Sequence, residues 1–201
     1  MRKMTGFDRV MLLVTGLLAA HQVVIGVEGL ETLVVFSYTI AFGVLLVACL
    51  LLIILGYDVL DSPVVVVVST IIPLSLSLGL VAEYLPENVY LYLVFVLLGF
   101  LAVVITRFVA PGRVAVIVLA VVHGISGLLI TFLPVYLSLS GVTSPGFILV
   151  GVGGALIGIG GLLLSFLKTG KPILPRATIL RLLPILLLLM TASIVAGFAL
   201  G

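Results

Sequence analysis

His21 and His123 are the only histidines in this chain, and each stands in a long apolar run opened by an arginine. An imidazole in hydrocarbon is costly and by default marks a functional site. His21 comes twelve residues after Arg9 and His123 ten after Arg113. At about 1.5 Å per residue the rings lie roughly 18 and 15 Å from those arginines, at similar depth. Two level imidazoles on separate helices are the minimum that holds a haem iron from both faces, the protein supplying axial ligands and a low-dielectric pocket. Gly124, Ser126 and Gly127 beside His123 leave room for a flat macrocycle. The expected site is therefore one haem b between His21 and His123, with Gly124 and Gly127 lining it. Proton or substrate handling suits the same pair, as does plain interhelical hydrogen bonding at about 0.6 kcal/mol per contact. Tyr38 is a candidate partner for His21 in that last reading. A lone metal ion is not expected, because no carboxylate or thiol lies at that depth. The single cysteine, Cys49, sits in another apolar run and reads as a small buried residue.

The elements that must position these residues are membrane spans. Of 201 residues, 64% are hydrophobic and 8% charged, against about 25% charged in a soluble domain. Seven apolar stretches follow one another, at about 9–27, 33–56, 64–82, 88–107, 113–135, 145–167 and 178–200, each near the roughly 20 residues that cross a bilayer. The expectation is an all-α polytopic bundle of seven transmembrane helices, with residues 1–201 as a single integral-membrane domain. Breaks fall where helices begin: Asp61-Ser62-Pro63, Pro86-Glu87-Asn88, Pro111-Gly112-Arg113 and Ser144-Pro145-Gly146. Met1-Arg2-Lys3 before an apolar run has the look of a signal peptide. The run continues to about Val27 without a clear cleavage site, so it is taken as the first span.

Charge fixes the expected orientation. Arg2, Lys3 and Arg9, then Arg107 and Arg113, then Lys168, Lys171, Arg176 and Arg181 all fall on one side of a seven-span arrangement. Glu28, Glu31, Glu83 and Glu87 fall on the other. The positive-inside rule then puts the N-terminus inside and the C-terminus outside. Tyr84, Tyr90 and Tyr136 at one interface and Tyr57 at the other agree with this count.

The third span offers a different chemistry. Pro73 stands mid-run among Ser69, Thr70, Ser75 and Ser77. Proline removes one helical hydrogen bond and frees the carbonyl near position 69, which hydroxyls or neighbouring helices must satisfy. One reading is a kinked helix lining a path through Ser69, Pro73, Ser75 and Ser77; the other is a kink repaired by its own serines. In the sixth span, Gly151, Gly154, Ala155, Gly158 and Gly161 form one stripe at about 100° per residue, with Gly153 and Gly160 nearly opposite. Such stripes admit close helix packing, so this helix is expected to be central and contacted from two sides.

Several resemblances bear on function. Helices carrying His with a nearby Gly, as at His123-Gly124, are similar to those of membrane b-type cytochromes, though the four histidines that hold two haems there are absent. Gly124-Ile125-Ser126-Gly127 looks like the GxSG of rhomboid proteases, but no histidine follows His123 to serve as base. Seven spans resemble a rhodopsin without the retinal-binding lysine of the seventh, and the Asn-Pro-Ala pairs of an aquaporin are missing. Arg9-Val10 and Arg113-Val114 open two spans 104 residues apart, each followed by a histidine. If spans 1–3 and 5–7 are related, the plan is 3+1+3, resembling the parallel repeats of the SWEET transporters in architecture alone.

Connections of roughly a dozen residues or fewer leave no room for a soluble domain, so no independent catalytic activity is expected. The first expectation is a membrane subunit of an electron-transfer complex, in the cell membrane, holding haem b and meeting other membrane or redox subunits as well as lipid. The alternatives are a small transporter or channel beside the third span, and a non-catalytic structural subunit of a membrane complex. Nucleic acid is not an expected partner.

Overall fold

A computed structural model of the protein describes residues 3–26, 31–110, 112–168 and 174–201, without the side chains of 165–168. Those residues form seven α-helices and no strand: α1 Gly6–Ile25, α2 Thr32–Leu55, α3 Pro63–Tyr84, α4 Val89–Phe108, α5 Arg113–Leu139, α6 Ile148–Lys168 and α7 Arg176–Leu200. All seven are long and apolar enough to cross a membrane. The chain is a multi-pass membrane protein with the expected number of spans.

Two helix ends differ from expectation. α1 starts before Arg9 because Thr5 and Asp8 form a capping box: the Thr5 hydroxyl accepts from the Asp8 N–H at 3.2 Å, and the Asp8 carboxylate accepts from the Thr5 N–H at 2.9 Å. α5 continues through Pro134 to Leu139, where Ser140 and Gly141 turn the chain. Gly141 has φ +73°, a conformation that glycine adopts without a Cβ penalty.

α1 packs between α2 and α7; α2 packs on α3, α3 on α5, α5 on α6, and α6 on α7. Six helices thus close a ring, and α4 leans on it from outside against α3 and α5. The difference in burial follows: 56% of the α3 span is buried, against 11% of the α4 span. Across the middle of the ring, Phe42, Leu45, Leu76, Ile157, Met190 and Ile194 surround a space of about 10 Å³. That is at the limit of one water molecule.

The two ends of the ring are built differently. At the end where α3 finishes and α6 begins, Tyr84, Phe147, Phe198 and Tyr38 stack in sequence, with ring centroids 5.3, 6.2 and 4.7 Å apart. The Tyr38 ring lies on Gly79, where any Cβ would meet it, and its hydroxyl donates to Glu83 at 2.8 Å. Helices touch backbone to backbone here. A Cβ on Gly151 would come within 2.6 Å of the Thr131 carbonyl oxygen, and one on Gly197 within 2.6 Å of the Val150 nitrogen.

The opposite end carries every described basic residue: Lys3, Arg9, Arg107, Arg113, Arg176 and Arg181 lie before or within two turns of that end of their helices. Arg2, Glu28 and Lys171, and the side chain of Lys168, lie outside the described residues. Tyr57, expected at an interface, is instead buried at the basic end.

Candidate functional site

The two histidines are not brought together. On α1 the buried face is Leu12, Thr15, Gly16, Ala19 and Gln22. His21 lies nearly opposite that face, about 180° round the helix from Leu12, and is exposed. α1 packs on α2 and α7, whereas α5, which carries His123, packs on α3, α4 and α6. The residues present therefore build no seat for one haem b between His21 and His123 of a single chain. Tyr38, the sequence candidate for pairing with His21, is engaged by Glu83 instead.

His123 is half-buried, and its Nδ1 is enclosed beside the Leu119 carbonyl one turn back, without a full hydrogen bond. Its neighbours Gly124 and Gly127 have open space where a Cβ would stand. The contacts of Gly151 with Thr131 and Val135, and of Gly154 with Ile130, set the antiparallel register of α6 on α5. That register puts Gly161 level with His123 and Gly158 level with Ser126. A Cβ on Gly158 or Gly161 would also meet nothing within 4 Å, so this half of α6 leaves open space where the first half is filled.

α3 is closed rather than hollow. Pro73, Ser75 and Ser77 are buried, and Ser69 is half-buried. The hydroxyls of Ser69 and Thr70 both donate to the Val66 carbonyl at 3.0 and 2.8 Å, and Ser77 donates to the Pro73 carbonyl at 2.6 Å. They bond back along the helix at 66 and 73, not at the carbonyl of Ser69 that Pro73 frees. Ser77 also accepts from the Tyr92 hydroxyl at 2.8 Å, tying α4 to α3. Ser126 of α5 lies beside the same phenol without a full hydrogen bond. This junction of three helices lets polar groups find partners inside the protein, where hydrocarbon offers them none.

One feature of the basic end has no counterpart among the expected sites. A hollow of about 400 Å³ opens between the start of α3, the end of α4, the end of α6 and the start of α7. Leu60, Asp61, Arg107, Leu164 and Arg176 line it. Arg176 holds Asp61 at 2.9 Å, while Arg107 Nε is buried without a hydrogen-bond partner among the described residues. The basic residues signalled an end of the bundle in the sequence; that two of them converge on one space depends on how α4 and α7 pack. Among the described residues no group of three or more His, Cys, Asp or Glu side chains is placed to hold a metal ion. No protein-family model matches the sequence, and no curated protein or solved structure is detectably similar to it.

Proposed function

We propose that this chain is a non-catalytic membrane subunit that packs within a larger assembly in the cell membrane. The observation that carries this reading is the filled middle of the ring, where apolar side chains of α2, α3, α6 and α7 leave about 10 Å³. A transport path beside α3 draws no support from buried Pro73, Ser75 and Ser77. A shared haem draws none from helices that do not pack together. The outward glycines of α5 and α6 and the exposed His21 favour contacts with other helices, since small residues admit close approach and polar groups act as interhelical partners.

On this reading the basic end faces the cytoplasm, with the N-terminus inside and the C-terminus outside. The 3+1+3 plan draws support from the ring order, in which α1 to α3 and α5 to α7 each run consecutively and α4 stands outside. The test is native mass spectrometry of gently solubilised source membranes, with His21→Ala and His123→Ala variants in parallel. The expected result is a fixed-stoichiometry assembly whose activity both variants retain. A monomeric chain, or normal assembly with activity lost in either variant, contradicts the reading.

A further inference from the structure

We propose that the hollow at the basic end binds a phosphate group, held by Arg107 and Arg176, with Asp61 competing for Arg176. This is independent of the subunit reading above. The space of about 400 Å³ is enough for a phosphate with its substituents, and it lies at the end of the bundle where the bilayer's own phosphates are concentrated. Basic pockets between transmembrane helices recognise anionic head groups through this chemistry.

The charges decide the ligand's sign. α3 and α7 begin at the hollow while α4 and α6 end there, so their macrodipoles offset one another. Among the described residues that line the hollow, two guanidinium groups face one carboxylate, a surplus of one positive charge. A guanidinium presents its donors as a planar fork that matches phosphate oxygens. Arg107 lines the hollow, and among the described residues its Nε has no hydrogen-bond partner. Arg176 is 43% exposed and bound to Asp61 through one terminal nitrogen, Nη2. Both guanidinium groups border the space that a phosphate would occupy.

The surroundings favour a lipid as the source. Leu60 and Leu164 are apolar walls of the hollow. One to two turns further into the membrane, a Cβ on Gly161 or Gly158 of α6 would meet nothing within 4 Å. That bare helix face can take an acyl chain continuing from a head group, whereas inorganic phosphate has no use for it.

The experiment measures thermal unfolding of the intact protein in dodecyl maltoside, titrated separately with phosphatidylglycerol, phosphatidylcholine and inorganic phosphate. The expected result is stabilisation by phosphatidylglycerol with a half-saturation at least about fivefold below that of phosphatidylcholine, because only the former has a net negative head group. Arg107→Gln should abolish this preference, and Asp61→Asn should lower the half-saturation further by removing the competing carboxylate. Stabilisation by inorganic phosphate that displaces phosphatidylglycerol, also lost in Arg107→Gln, assigns the site to free phosphate. No effect of inorganic phosphate assigns it to the lipid. Equal response to both lipids, or a preference kept in Arg107→Gln, overturns the proposal. If Arg107→Gln does not fold, Arg176→Gln must weaken the preference and Asp61→Asn must strengthen it; no change in either overturns the proposal equally.

Discussion

The two halves of α6 make opposite use of the same residue. Near its start, Gly151 and Gly154 press onto the backbone of α5, and Gly153 onto Ile194 and the Met190 carbonyl of α7. Towards the basic end, a Cβ on Gly158, Gly160 or Gly161 would meet nothing within 4 Å. A glycine stripe permits close approach but does not compel it. What closes the first half is the aromatic cluster of Tyr38, Tyr84, Phe147 and Phe198, supported by Tyr38 on Glu83. The second half runs towards the basic residues, each of which must reach water or a counter-ion. One end of the bundle is a solid plug and the other a hollow.

That contrast can be broken by adding volume at each end. Gly154→Leu drives a side chain into the Ile130 backbone, whose carbonyl carbon lies 2.9 Å from the added Cβ. It should cost about 3 kcal/mol, at the upper end of overpacking effects, read as denaturant unfolding in detergent. A near-neutral result means the helices separate easily there. Gly79→Ala forces the Tyr38 ring aside and should cost about 2 kcal/mol; an unchanged unfolding curve would mean that Tyr38 clamps nothing. Tyr38→Phe leaves the Glu83 carboxylate without its 2.8 Å donor and should cost about 1 kcal/mol or slightly more. In the open half, Gly158→Ala meets nothing and should change stability by less than about 1 kcal/mol, in the stabilising direction through helix propensity. A clear loss would mean that another helix occupies the space. Asp61→Asn should have a similarly small effect, under about 1 kcal/mol, because its ion pair with Arg176 is 55% exposed on the Asp61 side.

The number and order of the spans were legible in the sequence because twenty-residue apolar runs and clustered basic residues are properties of the chain itself. The closeness of α6 to both α5 and α7 was legible too, from glycines on opposite faces. Which glycines are filled was not, since Gly154 and Gly158 have the same residue type and differ only in what faces them. The histidines illustrate the same limit. Their spacing from Arg9 and Arg113 measures distance along two helices and says nothing of which helices are neighbours. Ring order then decides that α1 and α5 do not meet. The hollow at Arg107 was hidden for a related reason. Arg107 and Asp61 are 46 positions apart, and Arg176 is a further 69 beyond Arg107, so only packing of four helix ends makes them neighbours.

A bundle filled in its middle, with a hollow at the basic end, should admit water to that hollow and not to the centre of the ring. The direct measurement is labelling by a membrane-impermeant maleimide, applied from either side of oriented vesicles, in a Cys49→Ser background. Single cysteines replace Leu164 in the wall of the hollow and, separately, Ile157 and Ile194 in the filled middle. Position 164 should react from the basic side only, and positions 157 and 194 from neither side. Labelling at 157 or 194 would contradict this, because water would then reach the centre of the ring and a transport path would replace the subunit reading.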